Sequence, residues 1–255
     1  MDPATLIGVL GGFLVVIVAN MLEGGNPMAL LLLPPMLLVF GTTLLISLAG
    51  GTTGDAKLAA RGLVRAFTGK APNGALLVPH LVAAADKARR EGLLALEDTV
   101  AELDDPFLAK ALTMAIDGTD PEELRDILEA EVHATKAESR QAARYFNACG
   151  GYAPTIGIVG TVMGLVHVLE QLAEPEKLGP LIAGAFVATL WGVASANIIF
   201  LPLGARLIRL GELEAAQMEL VIEGVAAVQA GSNPRIVAQR LRSLLPMGQR
   251  EEEAA

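Results

Sequence analysis

The sequence predicts an all-α membrane protein with four transmembrane helices and a large helical cytoplasmic segment between helices 2 and 3. Of its 255 residues, 53% are hydrophobic and only 18% are charged, which is more apolar than a soluble domain of this size usually is. Four runs contain no Asp, Glu, Lys or Arg, and each has the roughly 20 residues that a helix needs to cross a bilayer core. These runs are residues 3–22, 24–54, 145–169 and 178–205.

The placement of Lys and Arg predicts which ends of these helices face the cytoplasm. The chain has 19 such residues. The first short loop, EGGNP, contains none of them, and the last, EQLAEPEKLGP, contains only Lys177. All the others lie between the second and third runs or after the fourth, and positive residues are retained on the cytoplasmic side of a membrane. We therefore expect both termini and the long middle segment to be cytoplasmic.

The same pattern divides the chain into four segments. Residues 1–50 are predicted to form transmembrane helices 1 and 2, residues 51–149 a cytoplasmic helical domain, residues 150–208 transmembrane helices 3 and 4, and residues 209–255 a cytoplasmic C-terminal helix and tail. No basic segment precedes the first run, so we expect a retained helix rather than a cleaved signal peptide.

The middle segment has the apolar spacing of helices, and its clearest helix start is TDPEELRDILEAEV. Asp120 fits the N-cap, Pro121 the first turn and Glu123 the third helical position of a capping box. From Pro121 the pattern remains helical to about Cys149, where the third apolar run begins. We expect one long helix that passes from the cytoplasm into the membrane, where it would either transmit force or serve only as a long surface helix.

Several functional classes are disfavoured by what the sequence contains. The net charge of −9 and the lack of a basic stripe argue against nucleic-acid binding. Cys149 is the only cysteine, so an intrachain disulfide is excluded. His80, His133 and His167 have no metal-ligand spacing, and no phosphate loop or nucleophile motif is present. We expect neither an enzyme nor a bound cofactor.

Small residues form a stripe on the third and fourth apolar helices. On a helical wheel they fall within a sector of about 120° on each helix. On the third helix the stripe includes Pro154, Gly157, Thr161 and Gly164; on the fourth it includes Ala185, Thr189 and Gly192, with Pro202 at its edge. Small residues let membrane helices approach closely, and hydroxyls can bond across the gap. The stripes indicate either ordinary helix packing or a slightly polar groove that faces something other than lipid.

None of the four runs contains Asp, Glu, Lys or Arg. His167 lies near the outer end of the third run, where it would either pack at the interface or titrate near an ion entrance. Ion pathways usually need an ionisable group inside the membrane. If the stripes line an ion path, another chain must supply the carboxylate, which predicts a partner helix lying against them.

At these residues the chain resembles the A subunit of the flagellar stator, the MotA/PomA type of the MotA/TolQ/ExbB proton channel family. The matching motifs are APTIGIVGTVMGLVHVL and GPLIAGAFVATLWGVASANIIFLPLGARL, and EGGNPMALLLLPPMLLVFGTT and ADKARREGLLALE also fit. The resemblance implies a homopentamer around two copies of a B subunit of the MotB/PomB type. That subunit supplies a membrane aspartate and a peptidoglycan anchor. Flow of H+ or Na+ past the aspartate would turn the ring, drive the flagellar rotor and support bacterial motility and chemotaxis.

The resemblance also assigns roles to individual residues. Pro154 and Pro202 match prolines of the family's third and fourth helices, and Thr161 and Thr189 match positions that face the partner's aspartate. Arg89 or its neighbour Arg90, together with Glu97, matches the cytoplasmic charges that engage the rotor protein FliG. A solvated helix surface is the alternative for these charges. Trp191 stands where several relatives have tyrosine, and we expect it to affect packing.

Two other functions remain open from the sequence. An ExbB/TolQ-type energising subunit shares the motif of the last two helices but usually has three membrane helices. A structural scaffold would use the stripes for packing alone. A self-contained transporter is disfavoured because no charge lies inside the membrane. The resemblance places Thr161 where sodium-type members tend to have threonine, and the ATLWG…AN pattern, which ends at Asn197, leans the same way. The sequence leaves the transported ion open.

Overall fold

The structure, a computed structural model, describes residues 3–249, and in this part of the chain all regular secondary structure is helical. The α-helices are α1 (Ala4–Leu22), α2 (Leu33–Ala49), α3 (Thr53–Thr68), α4 (Val78–Glu91), α5 (Glu97–Ala101), α6 (Pro106–Ile116), α7 (Pro121–Glu170), α8 (Pro175–Gln229) and α9 (Pro234–Leu244). Short 3₁₀ turns occupy Pro27–Leu30, Gly74–Leu77 and Leu93–Leu96.

Two helices contain a π-helical segment. In α2 it covers Leu37–Gly41, and in α8 it covers Ser195–Phe200. Such segments are rare and frequently occur at functional sites. The 3.6-residue pattern of the sequence predicts neither of them.

The predicted long helix is confirmed as α7, which runs without interruption for 50 residues and carries Pro154 in its interior. Its N-cap also agrees with the sequence, because the Asp120 side chain accepts a hydrogen bond from the backbone N–H of Glu122 at 2.9 Å. The predicted capping box is not formed among the described residues, since the bond goes to Glu122 rather than Glu123 and the Glu123 side chain does not return a bond to the Asp120 N–H. An N-cap of this kind satisfies an amide that has no partner inside the helix.

The second apolar run differs from its prediction. The run 24–54 is predicted to supply a helix of the roughly 20 residues that cross a bilayer core, but α2 has only the 17 residues from Leu33 to Ala49. Pro34 and Pro35 explain the late start, since a proline has no N–H to donate and fits best in the first turn of a helix. Three helices, α1, α7 and α8, are long and apolar enough to cross a membrane.

The chain forms two compact units. One contains the described residues up to Lys70 and those from Ser139 to Arg209, and the other contains residues 71–138 and the described residues from Leu210 onwards. Both α7 and α8 contribute to each unit. These units are defined by packing and not by lipid, so the predicted boundaries of the membrane segments stay a prediction.

The first unit contains the apolar runs. Its core is small and built from Ala and Phe side chains, among them Ala59, Phe146 and Phe200, with Leu203 and Leu207. Helix α1 has no buried residue. Its large apolar side chains therefore need lipid or another protein chain around them.

The second unit has a conventional leucine-rich core. Leu81, Leu96, Leu108, Leu112 and Leu128 have almost no exposed surface. Amphipathic helices enclose this core, and Asp105 caps α6 by accepting a hydrogen bond from the N–H of Leu108 at 2.8 Å.

Candidate ion-path site

The two small-residue stripes pack against each other within the chain. A Cβ built on Gly157 would lie 2.9 Å from the carbonyl oxygen of Ala188, and one built on Gly192 would lie 2.6 Å from that of Ala153. Real Cβ atoms do not approach so closely, so glycine is required on both sides. Farther along the contact between α7 and α8, a Cβ on Gly164 would lie 2.7 Å from the Cβ of Ala185.

This packing decides which stripe residues another chain could reach. Gly157, Ala185 and Gly192 are buried between α7 and the first part of α8. For these three residues the structure shows helix packing. The other stripe residues keep some exposed surface: Pro154, Thr161, Gly164 and Thr189 are partly exposed and Pro202 is exposed. Contact of these residues with a partner helix stays a prediction.

Four oxygen atoms meet where the partly exposed threonines face each other. The hydroxyl groups of Thr161 and Thr189 are hydrogen-bonded to one another. The Thr161 Oγ1 lies 3.0 Å from the carbonyl oxygen of Ala185 and 3.2 Å from that of Gly157. The Thr189 Oγ1 lies 3.3 Å from the same Gly157 oxygen. We call these two hydroxyls and two carbonyls the oxygen cluster.

The oxygen cluster carries no full charge, and its two hydroxyls can either donate or accept hydrogen bonds. A threonine hydroxyl can donate one hydrogen bond and accept two, so the pair can rotate to donate to an incoming anion or accept from a donor. Hard cations such as Na+ also prefer oxygen ligands over nitrogen or sulfur, as Ca2+ and Mg2+ do. The cluster itself contributes no full charge.

Pro154 and the π segment of α8 flank this cluster along the two helices. Because Pro154 has no N–H, the carbonyl of Gly150 lacks its usual helical donor. In the π segment, the Asn197 side chain is exposed and donates to the carbonyl of Val193 at 2.9 Å. The sequence singles out Asn197 only as the end of the ATLWG…AN pattern that leans towards Na+, and it is not among the predicted path residues.

Trp191 anchors α8 to α1 and α2. Its indole N–H donates to the carbonyl oxygen of Leu30 at 2.6 Å. Its ring centroid lies 5.8 Å from that of Phe13 and 5.7 Å from that of Phe40. The expected packing role is confirmed, and the hydrogen bond shows why an N–H donor suits this position.

Comparison with known proteins agrees with this architecture. The profile of the MotA/TolQ/ExbB proton channel family matches residues 99–220. The chain is 34% identical to the chemotaxis protein PomA of Vibrio alginolyticus, with 99% of both chains covered. It is 35% identical to motility protein A of Bacillus subtilis (strain 168), with 96% of this chain and 92% of the relative covered.

The chain belongs to the MotA/TolQ/ExbB family. Solved structures place it with the flagellar members. The C. jejuni MotAB structure matches with a TM-score of 0.93 and 31% identity over 97% of both chains. The flagellar MotAB stator complex from Bacillus subtilis matches with a TM-score of 0.91 and 34% identity over 99% of this chain. The resemblance to the MotA/PomA type is therefore confirmed, and the chain is a multi-pass membrane protein of the flagellar stator type.

In this MotA/PomA-type chain the predicted rotor-contact residues lie around one turn of the second unit. Arg89 and Arg90 are in the last turn of α4, and Glu97 is the first residue of α5. All three are exposed. Arg90 is ion-paired with Asp86, whereas Arg89 forms no hydrogen bond or ion pair with the described residues. The structure brings the charges together without showing what they contact.

The histidines of this stator-type chain do not converge. His167 Nδ1 lies 3.1 Å from Glu170 Oε2 on the exposed surface, and His80 Nδ1 lies 3.0 Å from the carbonyl oxygen of Leu76. Within residues 3–249, His, Cys, Asp and Glu side chains form no group that could hold a metal ion.

Proposed function

We propose that this chain is the channel-forming subunit of an ion-driven stator, which couples H+ or Na+ flow past a partner chain's aspartate to rotation of a subunit ring. The solved relatives are MotAB complexes, which supports a partner of the MotB type. The partner's membrane helix would supply the aspartate, and its anchor would hold the stator to peptidoglycan.

The observation that carries this proposal is that the oxygen cluster lies between two apolar helical segments that contain no carboxylate of their own. The cluster lies on two helices whose apolar runs contain no Asp, Glu, Lys or Arg. Thr161 and Thr189 are only partly buried, so a neighbouring chain can reach them. A carboxylate is needed for cation transfer through lipid at low cost, and this chain must receive it from outside.

The mechanism that fits is differential binding of two states of the partner's carboxylate. When ionised, the carboxylate accepts hydrogen bonds from the hydroxyls of Thr161 and Thr189. When it is protonated or holds a cation, it no longer needs those donors, and the oxygens of the cluster can accept instead. A ligand shifts a conformational equilibrium only by its differential affinity for the two states. Alternation between the two states would therefore favour alternate positions around a ring of five subunits.

The proposed topology has four crossings and both termini in the cytoplasm. The placement of Lys and Arg supports it. Helix α2 would span about 26 Å at 1.5 Å per residue, slightly less than the hydrocarbon core, and the preceding 3₁₀ turn at Pro27–Leu30 adds length. A reporter fused within residues 23–27 should be active only on the outer side of the membrane.

We also propose that Arg89 and Glu97 contact the rotor protein FliG. Both are exposed, and Arg89 is preferred over Arg90 because the Arg90 guanidinium is already paired with Asp86. Electrostatic contacts of this kind fix register and partner choice more than affinity.

The central test is Thr189→Val, which removes the hydroxyl and keeps the shape of the side chain. We expect swimming speed and ion flux to fall at least tenfold, which corresponds to about 1.4 kcal/mol of lost stabilisation, while complex assembly is retained. Thr155→Val is the matched control, since Thr155 is exposed on α7 and its hydroxyl only donates to the carbonyl of Tyr152. Equal flux in both variants would refute the assignment.

A further inference from the structure

A polar pocket of about 260 Å³ lies in the first unit, at the end of α2. Its lining includes Ser47, Gly50, Gly51, Asp55, Gln141, Arg144, Tyr145 and Ala148. All these residues belong to the same compact unit, so their arrangement is part of one packed body. None of them belongs to the oxygen cluster or to the charges around α4 and α5.

The residues that line the pocket come from the ends of two apolar runs, which is where we expect the boundary between lipid and water. Asp55 is the first charged residue after the second apolar run, and Arg144 is the last one before the third. The pocket therefore joins the polar ends of two apolar segments. Phospholipid headgroups occupy this level of a bilayer, between the hydrocarbon core and the aqueous phase.

Ser47 belongs to the wall of this pocket but not to its reactive surface. It is only 5% exposed, and its Oγ is enclosed beside the Cys149 thiol, away from solvent. A ligand in the pocket therefore meets the polar side chains of Asp55, Gln141 and Arg144 and not this hydroxyl.

The charges of the pocket select a zwitterion. Arg144 is exposed and makes no hydrogen bond or direct ion pair with the described residues, so its donors are available. Asp55 accepts from the Thr52 N–H at 2.7 Å, from the Thr52 hydroxyl at 2.8 Å and from Gln141 Nε2 at 2.6 Å, which leaves about one of the roughly four acceptor positions of a carboxylate. The positive side chain disfavours a bare cation, and the negative one disfavours a simple anion. A molecule with both charges, separated by a short spacer, complements the two.

We propose that this pocket binds the headgroup of a phosphatidylethanolamine lipid, with the phosphate on Arg144 and the ammonium on Asp55. Guanidinium groups bind phosphate oxygens through parallel hydrogen bonds. The primary ammonium can donate hydrogen bonds to the carboxylate, whereas the quaternary ammonium of phosphatidylcholine has no N–H. The site should therefore prefer ethanolamine over choline lipids.

The test measures lipids retained by the full-length chain in complex with its B-type partner. The complex is reconstituted in nanodiscs with equal amounts of phosphatidylethanolamine and phosphatidylcholine, then stripped in detergent, and the retained lipid is quantified by mass spectrometry. We expect the wild type to retain phosphatidylethanolamine preferentially. Arg144→Gln should reduce its retention by about three- to tenfold, and Asp55→Asn should abolish the preference over phosphatidylcholine.

Two further variants separate this proposal from loss of folding. Arg140→Gln removes an exposed arginine one turn earlier on α7 that does not line the pocket, and it should behave as wild type. Ala148→Leu fills the pocket without changing a charge, and it should release the lipid. Equal retention of the two lipids by the wild type, or equal effects of Arg144→Gln and Arg140→Gln, would overturn the proposal.

The source of the phosphate is tested in the same assay. Millimolar inorganic phosphate should not displace the lipid, and displacement would reassign the pocket to a soluble anion. The proposal rests on the membrane placement of the chain and not on torque generation. A complex that conducts ions without lipid preference would refute only the lipid site, and one that retains the lipid but does not conduct would refute only the proposed function.

Discussion

Gly157 shows how a single missing side chain determines the geometry of the candidate site. Its Cα region faces the backbone of Ala188, Thr189 and Gly192 at distances that leave no room for a methyl group. This contact brings the Gly157 carbonyl within 3.3 Å of the Thr189 hydroxyl. The oxygen cluster therefore exists because the two helices can touch at glycine.

Substitution of this glycine is expected to cost stability as well as function. In Gly157→Ala the new Cβ would press on a backbone oxygen, and overpacking of this kind costs about 1–3 kcal/mol. The thermal unfolding midpoint of the purified complex should fall. Gly151→Ala is the matched control, because Gly151 is exposed on the same helix and a Cβ there would meet nothing within 4 Å. Equal midpoints for the two variants would contradict this packing.

The two adjacent arginines of α4 should differ in their effect on torque. Arg89→Glu reverses a side chain that pairs with none of residues 3–249. Arg90→Glu breaks an exposed ion pair with Asp86, and such pairs contribute at most about 1 kcal/mol. We expect Arg89→Glu to cut swimming torque strongly with ion flux unchanged, and an opposite charge on FliG to restore it. A stronger torque defect in Arg90→Glu would reverse the assignment.

At the level of residues, the sequence predicts which side of a helix carries the small residues but not what that side contacts. A helical wheel places Gly157 and Thr161 on one side of α7, and nothing in its periodicity tells whether that side meets another helix of the same chain. The structure resolves this because Gly157 and Gly192 interlock. The partly exposed threonines remain accessible only because their side chains lie at the margin of that contact.

Among the helices, α7 agrees with its prediction and α2 does not. The start of α7 is encoded locally by Asp120 and Pro121, and its long apolar and polar pattern continues without a stop signal. The bounds of α2 depend on Pro34 and Pro35, whose effect is readable from the sequence. Its π segment at Leu37–Gly41 is not, because a 3.6-residue pattern of apolar positions does not distinguish a π-helical turn from an α-helical one.

The start of α3 should be sensitive to pH through Asp55. The pKa of Asp55 is lowered chiefly by the hydrogen bond from Gln141 and then by those from Thr52. A lowered pKa in the folded state means that the carboxylate stabilises the fold above its ordinary pKa of about 3.9. That contribution is lost as the pH falls through the lowered pKa.

The corresponding measurement compares the thermal midpoints of wild type and Asp55→Asn from pH 7 to pH 3. The wild type should be the more stable at pH 7, and the difference should shrink as the solution is acidified below about pH 4. A difference that is independent of pH would show that the carboxylate charge is irrelevant to the capping box at Thr52.

For the whole molecule, the distribution of charge carries the most functional meaning. The 19 basic residues avoid the apolar runs and, except for Lys177, the short loops predicted to face outward. The apolar runs in turn contain no acid. A chain of the MotA/PomA type with this distribution can line a path for cations but cannot by itself provide the charged group on which a cation would rest.

Ion flux measured in proteoliposomes tests that claim most directly. Three samples are compared: the purified chain alone, the chain with its B-type partner, and the chain with a partner whose membrane aspartate is replaced by asparagine. We predict H+ or Na+ flux only in the second sample, and its dependence on external Na+ identifies the ion. Flux through the chain alone, or undiminished flux with the asparagine partner, would contradict the account.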